Sequence, residues 1–182
     1  MVTPHFHTLL LSGSPGTGKT LIARELEQNF GFRAYSLGDI VLKNHFYSEE
    51  DKERDTKVAD LNRLNEFIDQ ELNKLPENVQ KVVLESHYAD AIEHSSIKLA
   101  VVLRCHPELL EKRLIERQYS QSKIMENVQA ELVGDCGSFM LEKLDFMPNL
   151  SIFELDTSHE TAQKIAAEIA EIRLHLTGGR RP

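Results

Sequence analysis

The chain has 182 residues, is 41% hydrophobic and 27% charged, and carries a formal net charge of −8. That length suits one α/β domain with a sizeable core. The negative balance excludes naked nucleic acid held by general electrostatics and leaves an acidic face suited to a basic protein.

Residues 6–11 form an apolar run of strand formers that breaks at Ser12-Gly13-Ser14-Pro15-Gly16, as a buried parallel strand feeding a loop would. Helical spacing follows from Thr20 to Phe30, closed by Gly31. A short strand over 33–36 leads into a short helix through Lys43. The charged stretch 47–57 has little pattern and reads as a mobile connection. Leu61, Leu64, Ile68 and Leu72 predict a helix over 60–75, stopped at Pro76.

Two β-branched runs, 81–84 and 97–103, predict strands covered on both faces. Pro107 opens a helix through about Glu116, a polar patch covers 118–123, and a helix is expected over 124–135. A last strand over 150–155, a last helix over 158–176 and a frayed tail from Thr177 complete the reading. Five apolar strands alternating with helices imply an α/β three-layer sandwich around a five-stranded parallel sheet. Cys105 and Cys136 have neither disulfide nor zinc-site spacing, and no apolar run reaches membrane-spanning length. Residues 1–11 are too short and His-rich for a signal peptide. The expected setting is cytoplasmic, or nuclear in a eukaryote, with no membrane association.

The most specific signal is Gly13-Ser14-Pro15-Gly16-Thr17-Gly18-Lys19-Thr20, which fits G-x-x-x-x-G-K-[ST] at every fixed position. Glycines let the backbone wrap a phosphate, and successive N–H groups and the next helix N-terminus face the anion. Lys19 reaches the β- and γ-phosphates of ATP, and the Thr20 hydroxyl is placed to ligate Mg²⁺. Gly16, Gly18, Lys19, Thr20, Leu21 and Arg117 are the candidate ATP-binding residues. Glu85, at a strand's carboxyl end, can hold Mg²⁺ through water. His87 can position or deprotonate an attacking group. Arg113 and Arg117 lie one helical turn apart, and Arg117 is the candidate for closing over the transferring phosphoryl group.

In sequence order, Ser14 to Thr20, Ser36-Leu37-Gly38-Asp39, the segment 55–68 with Asp60 and Arg63, Val82 to His87, Val102-Leu103-Arg104, Glu111 to Leu114, Glu116 to Tyr119 and Asn127 to Glu131 resemble the adenylate kinase-related P-loop kinases. Within them the chain is similar to the isoenzyme-six branch, which includes a coilin-interacting nuclear ATPase and archaeal counterparts in small-ribosomal-subunit maturation. The likeness runs from about Leu9 to Leu132.

It implies a single P-loop kinase domain over 1–182, with a monophosphate-binding region at 36–59 and a short lid at 116–126. It also implies ATP and AMP as substrates, Mg²⁺ as cofactor, catalytic roles for Lys19, Glu85, His87 and Arg117, and monophosphate contacts from Gly38, Asp39 and Arg63. A basic small-subunit ribosomal protein is the implied partner. The chain departs from the branch at Glu85, where Asp is usual. It also has only Lys43 where ordinary adenylate kinases carry an Arg after the Gly-Asp turn. The rivals are a partner-stimulated ATPase, a small-metabolite kinase and a non-enzymatic nucleotide-sensing scaffold.

Overall fold

The computed structural model describes residues 6–51 and 56–177. In chain order the elements are β1 His7–Gly13, α1 Lys19–Phe30, β2 Arg33–Ser36, α2 Leu37–Asn44, β3 Tyr47–Asp51, β4 Thr56–Ala59, α3 Leu61–Asn73 and β5 Lys81–Glu85. They continue with β6 Ile97–Arg104, α4 Pro107–Glu116, α5 Gln121–Val133, α6 Asp135–Glu142, β7 Ser151–Asp156 and α7 Ala162–Leu176.

The five apolar runs form one parallel sheet in the order β2-β5-β1-β6-β7. Strand side chains alternate between faces, and the core divides accordingly. Leu10, Val82, Leu84, Ala100 and Val102 pack against α2, α3 and α6 through Leu37, Val41, Leu64, Ile68, Leu72 and Met140. On the other face Leu9, Leu11, Val83, Leu99, Val101 and Leu103 meet Ile22, Ala23 and Leu26 of α1 and Ile165, Ala166 and Ile169 of α7. Helices on both faces of a parallel sheet make three layers, as expected.

Three expectations are corrected. The stretch 47–57, read as a mobile connection, contributes the antiparallel pair β3–β4. Its unbroken run of charged residues gave no apolar face to mark it as a strand. The helix expected over 124–135 starts earlier, at Gln121, because the Ser120 hydroxyl accepts the Lys123 N–H and caps it. It ends at Gly134, in the left-handed region at φ +76°, and a separate helix, α6, follows at once. The last helix starts at Ala162 rather than Ser158, because Thr161 is its cap. The tail read as frayed lies outside the described residues from 178 onward.

Parallel pairing brings every strand's carboxyl end to one edge. The loops after β1, β5, β6 and β7 therefore converge there, beside the central β1, where open α/β sheets bind ligands.

Candidate active site

The glycine-rich loop leaves β1 and enters α1. Gly18 is the residue before α1, at φ +99°, and no side chain caps the helix. The first turn also carries no acid. An uncapped helix start leaves its N–H groups directed at the site, which suits an anion. Gly16, at φ +94°, is held against α4, and a Cβ there would stand 2.7 Å from Leu110 Cδ1. A Gly16→Ala variant should lose about 1–3 kcal/mol of stability through positive φ and overpacking together. Chemical denaturation measures this, and an unchanged midpoint would show that the loop can move off α4 freely.

Lys19 is almost wholly buried and donates from Nζ to the carbonyls of Gly13 at 2.7 Å and Ser14 at 3.0 Å. Burial lowers its pKa to about 8, with the Glu85 charge opposing the shift. Below that pH the side chain is an ammonium ready to meet phosphate. Above it, binding a polyphosphate must also take up a proton, because the anion favours charged lysine. ATP affinity should therefore fall by up to tenfold per pH unit above about 8. Calorimetry in buffers of different ionisation enthalpy checks this, with proton uptake appearing only on the alkaline side.

The Thr20 hydroxyl donates to Glu85 Oε1 at 3.2 Å, and Glu85 itself is 5% exposed. A hydroxyl and a carboxylate set side by side next to the phosphate loop are hard oxygen donors, which fits Mg²⁺ carried on nucleotide phosphates with its remaining positions hydrated. Among the described residues no group of three or more His, Cys, Asp or Glu is placed to hold a metal ion.

His87 stands edge-on to Tyr88, with ring centroids 4.6 Å apart. The residue as a whole is exposed. Crowding by the site walls lowers its pKa to about 4, and the Lys19 ammonium acts in the same sense. A neutral imidazole of such low basicity is suited to orienting a group by hydrogen bonding more than to taking its proton. Cys136 donates its thiol to the His87 carbonyl at 3.8 Å, and burial raises its pKa, so it remains a thiol.

A brace beneath the loop was not assigned by sequence reasoning. Glu131 of α5, only 3% exposed, accepts from Ser14 Oγ at 2.7 Å, Arg104 Nε at 2.8 Å and the Cys105 N–H at 3.0 Å. One carboxylate thus ties the phosphate loop to the end of β6 and to the helix that follows the expected lid. The signal was present in the sequence. Ile124, Val128 and Glu131 share one face of a helix, so an acid on the inward stripe demanded partners. Arg113 forms a second brace, donating to the Thr157 carbonyl at 2.9 Å and the Gly16 carbonyl at 3.4 Å. The Thr157 hydroxyl donates to the Thr17 carbonyl at 2.9 Å. Arg113, one helical turn from Arg117, is thus engaged with the loop backbone.

Two cavities flank the loop. One, of about 260 Å³, is lined by Pro15, Gly18, Lys19, Thr20, His87 and Arg117. The other, of about 460 Å³, lies between Gly16, Leu21, Arg113, Arg117, Glu160 and Ile165. Arg117 and Leu21 border both, and Leu21 is 54% exposed there. Arg117 follows the end of α4 and opens a turn to α5 that includes Gln118 at φ +60°. The stretch 116–126, expected to be a lid, takes in this corner and the start of α5.

The proposed monophosphate residues lie apart from these cavities. The Asp39 N–H donates to the Ser36 hydroxyl at the start of α2. A Cβ on Gly38 would meet nothing within 4 Å, so no tight turn requires glycine there. The Arg63 guanidinium lies 5.1 Å from the Phe46 ring centroid, and the Arg63 backbone N–H donates to the side chain of the α3 cap Asp60.

Comparison with known proteins agrees with this geometry. A family model described as an AAA domain matches residues 9–134. A protein of Methanosarcina acetivorans named "Putative adenylate kinase" is 36% identical over 174 residues, spanning 93% of this chain and 88% of that protein. One of the same name from Pyrococcus abyssi is 35% identical over 161 residues, spanning 88% and 81%. Among solved structures, a shikimate kinase from Bacteroides thetaiotaomicron superposes with a TM-score of 0.52 over 94% of this chain and 98% of that chain. At 14% identity it speaks for the fold alone. A phosphate loop backed by a lysine, a hydroxyl and a strand-end acid, on this sheet order and with relatives matching nearly end to end, places the chain among the adenylate kinase-related P-loop kinases.

Proposed function

We propose that the protein transfers the γ-phosphoryl group of Mg²⁺-ATP to AMP, giving two ADP. The observation that supports this most is the convergence of Lys19, Thr20, His87 and Arg117 on one cavity, beside a second cavity able to hold the nucleotide base. The loop amides, Lys19 and Thr20 would hold the triphosphate, with the base against Leu21 and Ile165. Thr20, and Glu85 through water, would hold Mg²⁺, which neutralises charge on the β- and γ-phosphates. AMP would approach along the region 36–59 beside Gly38 and Asp39, with Arg63 within that region.

An AMP phosphate oxygen would attack the γ-phosphorus in line as the bond to the departing ADP oxygen breaks. No proton need move, so positioning and charge stabilisation supply most of the acceleration. Closure of Arg117 would add a cation and expel water.

Purified protein with Mg²⁺-ATP, with and without AMP, tests this by quantifying ADP and free phosphate. ADP that appears only with AMP, and falls sharply in Arg117→Ala, is the expected result. Phosphoryl transfer confined to a non-nucleotide acceptor would overturn the reading. A second reading, ATP hydrolysis, is favoured by one observation: the neutral His87 ring at the phosphate cavity could orient a water. It predicts AMP-independent phosphate release that His87→Ala abolishes. Stimulation of that release by a basic small-subunit ribosomal protein would test the partner that the resemblance and the net charge of −8 suggest.

A further inference from the structure

The segment between β5 and β6 carries His87 to the phosphate cavity. Its start is fixed to β1, where the Ser86 N–H donates to the Leu11 carbonyl at 3.1 Å. One short helical turn, Ala89–Ala91, follows, and Ala89 is wholly buried. Ile92 is then extended and wholly buried, in one core cluster with Leu64 and Ile68 of α3.

An extended residue turns the carbonyl before it and the N–H after it to the same side. At Ile92 both of these groups meet a single side chain of α3. Asn65 Nδ2 donates to the Ala91 carbonyl at 2.8 Å, and Asn65 Oδ1 accepts the Glu93 N–H at 2.9 Å. A side-chain amide has the donor and acceptor of a peptide unit, so Asn65 serves as a one-residue strand partner. Nδ2 also donates to the Leu61 carbonyl one helical turn back, at 3.1 Å, which fixes the amide's orientation.

The clamp is close to His87 along the chain, and the link between them is stiff. Three residues separate His87 from Ala91. Across them the Ala91 N–H meets the Tyr88 carbonyl at 3.1 Å, and the Ile92 N–H meets the Ala89 carbonyl at 3.2 Å. From beyond α6, Lys143 Nζ donates to the Asp90 carbonyl at 2.8 Å and supports the same turn. A displacement at 91–93 is therefore passed on to His87 instead of being absorbed. The other end of the clamp is the helix that bears Arg63, the residue proposed above to lie beside the acceptor. At about 100° per residue, Arg63 and Asn65 leave α3 about 200° apart, so the two serve opposite faces of one helix.

We propose that Asn65 is a positioning residue for His87: it ties the segment after β5 to the acceptor-side helix and so sets where the His87 ring stands at the phosphate cavity. The inference rests on the reading that His87 acts at that cavity. Glu93 is exposed and Ala91 half-buried, so water can satisfy both backbone groups in a variant without the clamp.

The test is a pH titration of the histidine ring signals by NMR in the wild type and in Asn65→Ala, with the His87 signal assigned by its loss in His87→Ala. Crowding by the site walls, and then the Lys19 charge, lower the His87 pKa to about 4. The wild-type ring should therefore stay neutral from about pH 8 down to about 5. Lys19 and Arg117 are the charged groups that share its cavity. In Asn65→Ala the ring should leave the site walls for water and titrate within that window, its midpoint raised toward about 6.5. Whichever of ADP formation and phosphate release depends on His87 should fall about tenfold or more in kcat, with the KM for ATP unchanged. Asn65→Asp keeps an acceptor for the Glu93 N–H but no donor for the Ala91 carbonyl, and should give a smaller change in the same direction. It decides the matter if Asn65→Ala folds poorly. Adding Asn65→Ala to His87→Ala should cause no further loss of turnover.

A His87 ring that titrates alike in the wild type and both Asn65 variants would overturn the inference. So would an undiminished further loss in the double variant, which would show that Asn65 acts elsewhere. Full turnover in His87→Ala would overturn the role given to His87 itself, while the ring titration would still decide whether Asn65 positions it.

Discussion

A Lys19→Met variant is expected to lose phosphoryl transfer by about 10²–10³-fold or more in kcat/KM, with little loss of stability. The two halves of that expectation have one physical source. Lys19 is buried against the carbonyls of Gly13 and Ser14, and burial lowers its pKa to about 8. A lysine whose folded-state pKa lies below its unfolded value is charged at neutral pH at some expense to the fold. Removing that charge therefore relieves about as much as the lost hydrogen bonds gave, and the methionine stem refills much of the space. The phosphates lose their nearest fixed cation in a site where water screens poorly. Parallel steady-state kinetics and thermal unfolding separate the two effects. A variant that unfolds many degrees early would show that Lys19 supports the fold as well as the substrate. One that keeps its activity would remove this lysine from the mechanism.

Glu131→Ala should do the opposite, destabilising strongly and weakening the site indirectly. Glu131 receives three hydrogen bonds, and the Arg104 guanidinium, about one third exposed, would lose its closest carboxylate. A fully buried pair broken from one side costs about 3–5 kcal/mol. Solvent reaching Arg104 reduces that to about 2–4 kcal/mol. Freed of its Ser14 bond, the loop should hold ATP less well, so KM for ATP should rise several-fold while kcat changes less. Glu131→Gln keeps an acceptor for the Cys105 N–H or the Ser14 hydroxyl and should recover part of the stability. Equal loss in both variants would mean that the charge on Glu131, rather than its geometry, holds the brace. Unfolding midpoints together with the KM-against-kcat split read these outcomes.

Both residues were visible in the sequence, but unequally so. Lys19 stands in a motif whose spacing is fixed by local geometry. The tight glycine turn, the strand before it and the helix after it all lie within residues 7–30. The resemblance carried Glu131 only as part of a segment. Its inward position could be read from the spacing of Ile124, Val128 and Glu131, but not its partners, which lie 117 and 27 residues away at Ser14 and Arg104. Arg113 shows the same limit. Helical spacing paired it with Arg117, yet it is drawn to the Thr157 carbonyl while Arg117 borders both cavities. Gly38, which the resemblance made a monophosphate contact, lies within α2 with open space beside it.

By itself the sequence determined what depends on neighbours along the chain. Hydrophobic runs without alternation set strands covered on both faces, the 3.6-residue period set the helices α1, α3 and α4, and eight consecutive residues set a phosphate-binding loop. Tertiary structure decided what depends on distant segments meeting. It paired β3 with β4, where charged side chains leave no apolar signature. It chose which acid faces Thr20, which acid braces the loop, and which arginine borders both cavities. It also gathered His7, Lys98 and Arg173 at the far end of the sheet, residues spread over 166 positions of chain that only parallel strand order and the return of α7 bring together. Local patterns are written in short-range sterics and hydrophobic periodicity. A site is written in long-range contacts, whose partners the sequence names without saying that they touch.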